Sequence, residues 1–373
     1  SGIDLTRAGG DASELVHLNF GTAGVIGAGV TVPEGAVVWL HGNLDAEITL
    51  VSNGAPYRVA ETATIDPPEG KTASLTLKEG VTVELGESAG LEFGYYRGTA
   101  ALKVLGTKEK PVIVTRYGDD KASTPSNGLR FFNGARAPEI DWLVLEYAGA
   151  ADRPALFFND PRGLGKITNS TFRHIKTSAI AVETSKERFA AFDGNTFDDV
   201  EGAALRVPLE LAHGLGAKNV FTDKARVTVF GEAKKDTTLT NLGAPYVVEG
   251  EVNFNGEATK SATLKLEDGV SVLFNSEGKL AVGYYGPAKL AAKGVSFAPL
   301  DGKWKGVALY NSAVVELENS SVTGVNDDSP ALELTPEVTG FVKKVVIKGA
   351  KVGVKACAPK VKVEGMSPIS KCE

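Results

Sequence analysis

ITNSTF (Ile167–Phe172) and FDGNTF (Phe192–Phe197) are the segments that decide the fold. They place Asn169 and Asn195 26 residues apart, and Phe172 and Phe197 25 apart. That spacing is one coil of a parallel β-helix, in which about three short strands complete a turn of roughly 20–25 residues. Asparagines stacked at a corner can hydrogen-bond along the solenoid axis, and stacked phenylalanines can fill the interior, as identical side chains do in a parallel in-register stack. ENSSV (Glu318–Val322) writes the same corner again. The alternative is a pair of tandem β-sandwiches with Glu-Gly and Asp268-Gly269 as hairpin turns. It accommodates short strands but gives no reason for a coil-length echo.

Outward from these corners the pattern has period two. SLTLKEGVTVELG alternates Leu75 and Leu77, then Val81, Val83 and Leu85, with KEG between them, which is strand, turn, strand. Further strands are expected around Val38–Leu40, Leu91–Phe93, Leu102–Val104, Val112–Val114, Leu129–Phe131, Leu143–Leu145, Leu156–Phe158, Ile180–Val182 and Leu205–Val207. TSKERFAAF (Thr184–Phe192) is the one candidate for a helical turn or two. The chain is read as all-β, with 43 Gly suited to many tight corners.

The sequence is also written twice. GAPYRV (Gly54–Val59) returns as GAPYVV (Gly243–Val248) and FGYYRG (Phe93–Gly98) as VGYYGP (Val282–Pro287), 189 residues later. One deletion sets Gly98, Leu102 and Gly106 on Gly286, Leu290 and Gly294, and beyond further length differences NGLRFFNGA (Asn127–Ala135) matches KGVALYNSA (Lys305–Ala313) and DRPALFF (Asp152–Phe158) matches DSPALEL (Asp328–Leu334). A long duplication implies two supersecondary units. They are expected over residues 1–214, with an N-terminal cap, and 215–373, with LELAHGLGAKN (Leu209–Asn219) at the junction.

A net charge of −6 from 46 acidic and 40 basic residues, without long runs, argues against nucleic acid or an anionic membrane as partner. No apolar run approaches the roughly 18 residues that span a bilayer. Ser1 opens the chain with no apolar signal core, as after removal of an export signal or other trimming. Cys357 and Cys372 are the two cysteines, and a disulfide bridging the C-terminal tail is expected in an oxidising compartment, the alternative being two free thiols. No GxSxG elbow, Walker loop, HExxH or EF-hand loop occurs.

TLKEGVTVEL, GLEF and GTAALKVLGTKEKPVIVT, followed by NSTF coils, resemble the right-handed parallel β-helix (pectin-lyase-like) repeat proteins exported by Gram-negative bacteria, over about Val37–Val207 and more loosely Val227–Leu334. The resemblance implies a secreted, periplasmic or surface protein, often lipid-anchored. It implies a scaffold, adhesin or polysaccharide binder or, in the enzyme branches, a calcium-dependent lyase. The calcium-binding carboxylates and basic catalytic residue of those branches are not found here as a matched set.

All twelve Arg lie at or before Arg226, so a site for bidentate carboxylate recognition is expected in the first copy. Arg130, Arg136, Arg153, Arg162 and Arg173 with His174 could line one face toward an acidic polysaccharide. Alternatively each Arg pairs with Asp141, Asp152, Asp160, Asp198 or Asp199 across coils. Tyr95, Tyr96, Tyr284 and Tyr285 follow strands, where successive side chains alternate faces. At least one ring of each pair is expected outside, as a platform for sugar or as packing over a corner. A lyase or hydrolase would draw its base from Arg173, His174 or Lys166 and its Ca2+ ligands from Asp193, Asp198 and Asp199. Trp304 is expected to cap a coil, with sugar contact as the alternative. The preferred reading is a non-catalytic envelope or extracellular protein without cofactor, binding polysaccharide or another surface protein.

Overall fold

The structure, a computed structural model, describes residues 16–25, 30, 32–95, 98–150, 153–222, 224–365 and 369–371. It divides into two compact units, one of Ser1–Leu205 with Lys218–Ala225 and one of Arg206–Ala217 with Arg226–Glu373. Each is a right-handed parallel β-helix.

In the first unit, successive strands visit three faces in turn. The first face runs from Val16–Asn19 through Thr82–Leu85, Val112–Arg116 and Thr171–Ile175 to Val220–Phe221, and has nine strands. The second carries Ala63–Ile65, Gly90–Phe93, Gly128–Phe131, Leu156–Asn159 and Ile180–Thr184. The third has six strands, from Glu47–Leu50 to Ala191–Asp193. The two strands of SLTLKEGVTVELG show how the sequence does this. Thr72–Lys78 pairs with Thr99–Leu105 on the third face, and Thr82–Leu85 pairs with Val112–Arg116 on the first, both parallel. KEG is therefore a corner and not a hairpin, and parallel pairing on every face excludes the sandwich alternative.

Alternation puts one apolar row of each strand inside. Leu50, Leu77, Val104, Ile140, Ile167 and Phe192 stack in register on the third face, each at most 2% exposed. Phe93, Phe131 and Phe158 stack on the second with centroids 4.9 and 5.0 Å apart. Phe172 and Phe197 stack on the first at 5.2 Å, as their 25-residue spacing requires. Full burial of such a ring contributes roughly 1.5–3 kcal/mol.

The corner asparagines need a correction of one residue. Because Phe172 pairs with Phe197, Asn195 stands in register with Ser170 and not with Asn169. The Ser170 amide donates to Asn195 Oδ1 (3.1 Å), and the Asn195 amide donates to Asn219 Oδ1 (2.9 Å), so the ladder runs Ser170, Asn195, Asn219. Asn169 lies outside it at φ +51° and donates to Asp141 Oδ1. The second unit repeats this at Asn319 (φ +48°) and Ser320, whose Oγ accepts from the Val295 amide. TSKERFAAF forms no helix; Ile180–Thr184 and Ala191–Asp193 are strands, and Phe189 between them packs on Phe158 and Phe192.

In the second unit the three faces begin with Val227–Phe230, Glu232–Ala233 and Thr237–Leu239 and continue in parallel to Val346–Lys348, Ile369–Lys371 and Val361–Glu364. The repeated GAPY explains itself here. Tyr57 and Tyr246 point inward, buried, and donate their hydroxyls to Val51 O and Thr240 O, both at 2.9 Å. Burial pushes the Tyr57 phenol up to about 12 and the Tyr246 phenol higher still. Trp304 is also core, stacked on Phe274 at 3.9 Å with its indole N–H on Thr323 O, so sugar contact is excluded.

Of the N-terminal segment, Val16–Asn19 pairs with Val38–His41 and is followed by a 3-10 turn, Phe20–Val25. At the other end Cys357 donates its amide to Leu334 O (2.9 Å). Cys372, and with it the expected bridge, lies outside the described residues.

Candidate functional site

The repeated GYY begins with a glycine that only glycine can fill. At Gly94 φ is +67° and a Cβ would meet the Ala135 amide nitrogen at 2.2 Å; at Gly283 φ is +80° and a Cβ would meet Tyr310 O at 2.9 Å. The backbone thus turns the corner against the next coil and throws the following tyrosine out. Tyr95 is 40% exposed, Tyr284 50% and Tyr285 72%. Tyr96 lies outside the described residues.

Tyr95 stands at the edge of a cluster on the second face of the first unit. Glu92, Arg130 and Phe157 are directly adjacent in register on strands Gly90–Phe93, Gly128–Phe131 and Leu156–Asn159. Their side chains point outward because Phe93, Phe131 and Phe158 point in. Arg130 lies with its guanidinium carbon 4.6 Å from the Phe157 ring centroid and 5.8 Å from that of Phe132. Phe132 in turn meets Tyr95 edge-on at 4.5 Å and Phe157 at 6.4 Å. Two rings, Phe157 and Phe132, thus lie within cation–π range of the guanidinium, a favourable arrangement for a desolvated cation.

The cation itself is incompletely satisfied. Its side chain is 13% exposed and its Nε is 3.6 Å from Glu92 Oε1, within ion-pair range but beyond hydrogen-bonding distance. Nη1 is buried and has no hydrogen-bond partner among the described residues. Leaving such a donor unpaired costs about 1–3 kcal/mol. Burial acts most strongly against the charged form, the Arg153 guanidinium adds repulsion, and Glu92 and Tyr95 oppose both; the net effect lowers the Arg130 pKa. A guanidinium so placed is chemically suited to accept an anion.

A neighbouring arginine shows what a finished structural site looks like. On the first face Arg58 sits 5.0 Å from the Trp39 centroid and 4.5 Å from that of Tyr117, and donates Nε and Nη2 to Glu84 Oε2 at 2.9 and 2.6 Å. Arg58 has the aromatic frame and its carboxylate. Arg130 has the frame and lacks the hydrogen bonds.

The other residues expected at a site are dispersed. Arg136 is exposed on the corner after the second face, bridged to Arg162, which donates to Thr99 Oγ1. Arg173 and His174 lie on the first face, where Arg173 Nε donates to Glu146 Oε2 (2.7 Å) and His174 Nδ1 is 2.7 Å from Asp199 Oδ2. Lys166 is on the third face, in register with Glu139 and Ala191. The arginines therefore form no single wall. Arg130 and Arg173 find ionic partners in glutamates across the ladder, Glu92 and Glu146, while Asp141 is taken up by Thr168 and Asn169 at a corner. Asp152 lies outside the described residues.

The aspartates considered for Ca2+ do not fit that ion. Asp193 is on the third face near Lys218 (3.9 Å); on the first, Asp198 accepts from Thr222 and Asp199 meets His174. Calcium takes about six to eight converging oxygens. Among the described residues no group of three or more His, Cys, Asp or Glu side chains is gathered to hold a metal.

Glu92, Phe132 and Phe157 were not singled out from the sequence. The signal is there in RFF (Arg130–Phe132) and LFF (Leu156–Phe158): adjacent phenylalanines cannot both face inward, so each pair leaves one ring outside. Compared with known proteins, the chain matches no family model, no curated protein and no solved structure.

Proposed function

We propose that this chain is a non-catalytic glycan-binding β-helix whose first unit receives a carboxylate-bearing sugar of an acidic polysaccharide at Arg130. The observation that carries the reading is the buried Arg130 Nη1, without a hydrogen-bond partner among the described residues, beside the Phe157 and Phe132 rings. A sugar carboxylate meeting the exposed edge of the guanidinium, with a small swing of the side chain, would supply the missing acceptor and relieve the repulsion from Arg153. Tyr95 and Phe132 offer faces on which the sugar ring stacks. Placement outside the cytoplasm, secreted or held at a bacterial surface as scaffold or adhesin, belongs to the same proposal and rests on the sequence resemblance alone.

Binding is preferred over lyase chemistry because the basic candidates, Arg173, His174 and Lys166, occupy two faces, and the first two are each paired with a carboxylate. Affinity electrophoresis in gels of polygalacturonate or alginate tests the reading. Retardation by an acidic polymer that disappears in Arg130→Ala is the expected result. Equal retardation of the variant overturns the assignment of the site. Release of unsaturated uronate absorbance that EDTA abolishes overturns the non-catalytic reading.

A further inference from the structure

The second unit carries a different aromatic cluster at the duplicated position. Tyr284 meets Tyr285 edge-on at 4.7 Å and Tyr310 at 5.0 Å, the latter corresponding to the Tyr95–Phe132 pair. No guanidinium accompanies them, since Arg130 is replaced by Ala308 and Glu92 by Ala281, both buried.

Exposed rings are usually carried on loose loops; these are fixed. Asn311 Nδ2 donates to Gly283 O (3.1 Å) and Tyr284 O (2.9 Å) from the next coil. Asn255, fully buried, accepts the Tyr285 amide at 2.9 Å from the previous coil, and its Nδ2 is held by Glu232 Oε1. The backbone that presents Tyr284 and Tyr285, the two most exposed tyrosines among the described residues, is thus bonded to coils on both sides. Ordering entropy on contact is already largely spent, which favours a small ligand.

The bordering charges are engaged. Lys279 Nζ donates to Tyr310 Oη (2.8 Å), and Glu333 pairs with Lys355 (3.0 Å). Nothing there selects for an anion. Geometry favours a sugar over a flat partner surface: Tyr284 stands at 84° to Tyr285 and 88° to Tyr310, so the rings present separate faces of pyranose size and not one continuous apolar plane. We infer that Tyr284, Tyr285 and Tyr310 form a second site, for the apolar face of an uncharged pyranose, with the phenol hydroxyls bonding its ring substituents. This site is independent of Arg130.

Titration with cellohexaose, maltohexaose, mannohexaose and xylohexaose, followed by intrinsic fluorescence, tests it. Saturable binding of at least one is expected, weakened 10-fold or more in Tyr285→Ala, retained in Tyr285→Phe and unchanged in Arg130→Ala. Tyr285 is exposed enough that its truncation should leave the fold intact, which circular dichroism checks; Tyr284→Ala gives a second reading. Absence of binding by all four sugars, binding that survives both alanine substitutions, or binding lost with Arg130 would each overturn the inference. Self-association abolished by Tyr285→Ala would assign the patch to a protein partner instead.

Discussion

The outward row of the first unit reads Glu92, Arg130, Phe157, and the corresponding row of the second reads Ala281, Ala308, Glu333. The inward rows beside them, Phe93, Phe131, Phe158 and Val282, Leu309, Leu334, are apolar and buried in both. Alternation lets a strand hold its inner row to one purpose, packing, while its outer row changes freely. Duplicated backbone thus holds a desolvated cation in one copy and covered alanines beside exposed tyrosines in the other.

The largest contrast lies within one strand. Phe131→Ala removes a ring stacked on both sides and is expected to cost about 3–5 kcal/mol, whereas Arg130→Ala, its immediate neighbour, should cost far less, because loss of its ring contacts and of the Glu92 pair is offset by removal of an unpaired buried donor. Chemical denaturation of the two variants checks this. Binding reverses the order of the two residues: Arg130→Ala should weaken an acidic oligosaccharide about 100-fold, the value of a charged hydrogen bond worth roughly 1.5–3 kcal/mol, measured by calorimetry.

Tyr57 and Tyr246 probe what the copies share. Both phenols are pushed up by burial, Tyr57 to about 12 against an ordinary 10. A folded pKa above the unfolded one means stability complete below pH 10 and lost as the pH rises through 12. Tyr57→Phe and Tyr246→Phe should each cost about 1 kcal/mol at pH 7 for the lost hydroxyl bond and flatten the alkaline decline. Loss of that decline in only one variant would show that the copies are held differently.

The smallest expected effect is a graft. Ala308→Arg with Glu333→Phe rebuilds the first unit's row in the second, and a few-fold gain in retardation by polygalacturonate is expected against an Arg130→Ala background. No gain would mean that Arg153, which has no counterpart cation in the second copy's DSP segment, supplies what the row alone does not.

Much of the solenoid was legible because its signals are local: period-two rows, Gly corners and the 25-residue echo of Phe172 and Phe197. The register of the asparagines was misread by one residue because Asn169 resembles Asn195 in the chain while Ser170 replaces it in space. The site was legible only in part. Arg130, Arg153 and Tyr95 could be named from residue type, yet their company depended on which member of each Phe pair faced out. Arginine partners are expected among aspartates, and Asp198 does stand in register with Arg173, but Arg173 pairs with Glu146 on its other side and Asp198 accepts from Thr222, while Asp141 bonds neighbouring hydroxyl and amide groups.

The most direct test is a crystal structure of the protein with a trigalacturonate bound. A carboxylate oxygen within about 3.2 Å of Arg130 Nη1, with a sugar ring against Tyr95 or Phe132, is the predicted result. An oligosaccharide seated elsewhere, with Arg130 Nη1 bonded to the protein's own atoms, would contradict the account.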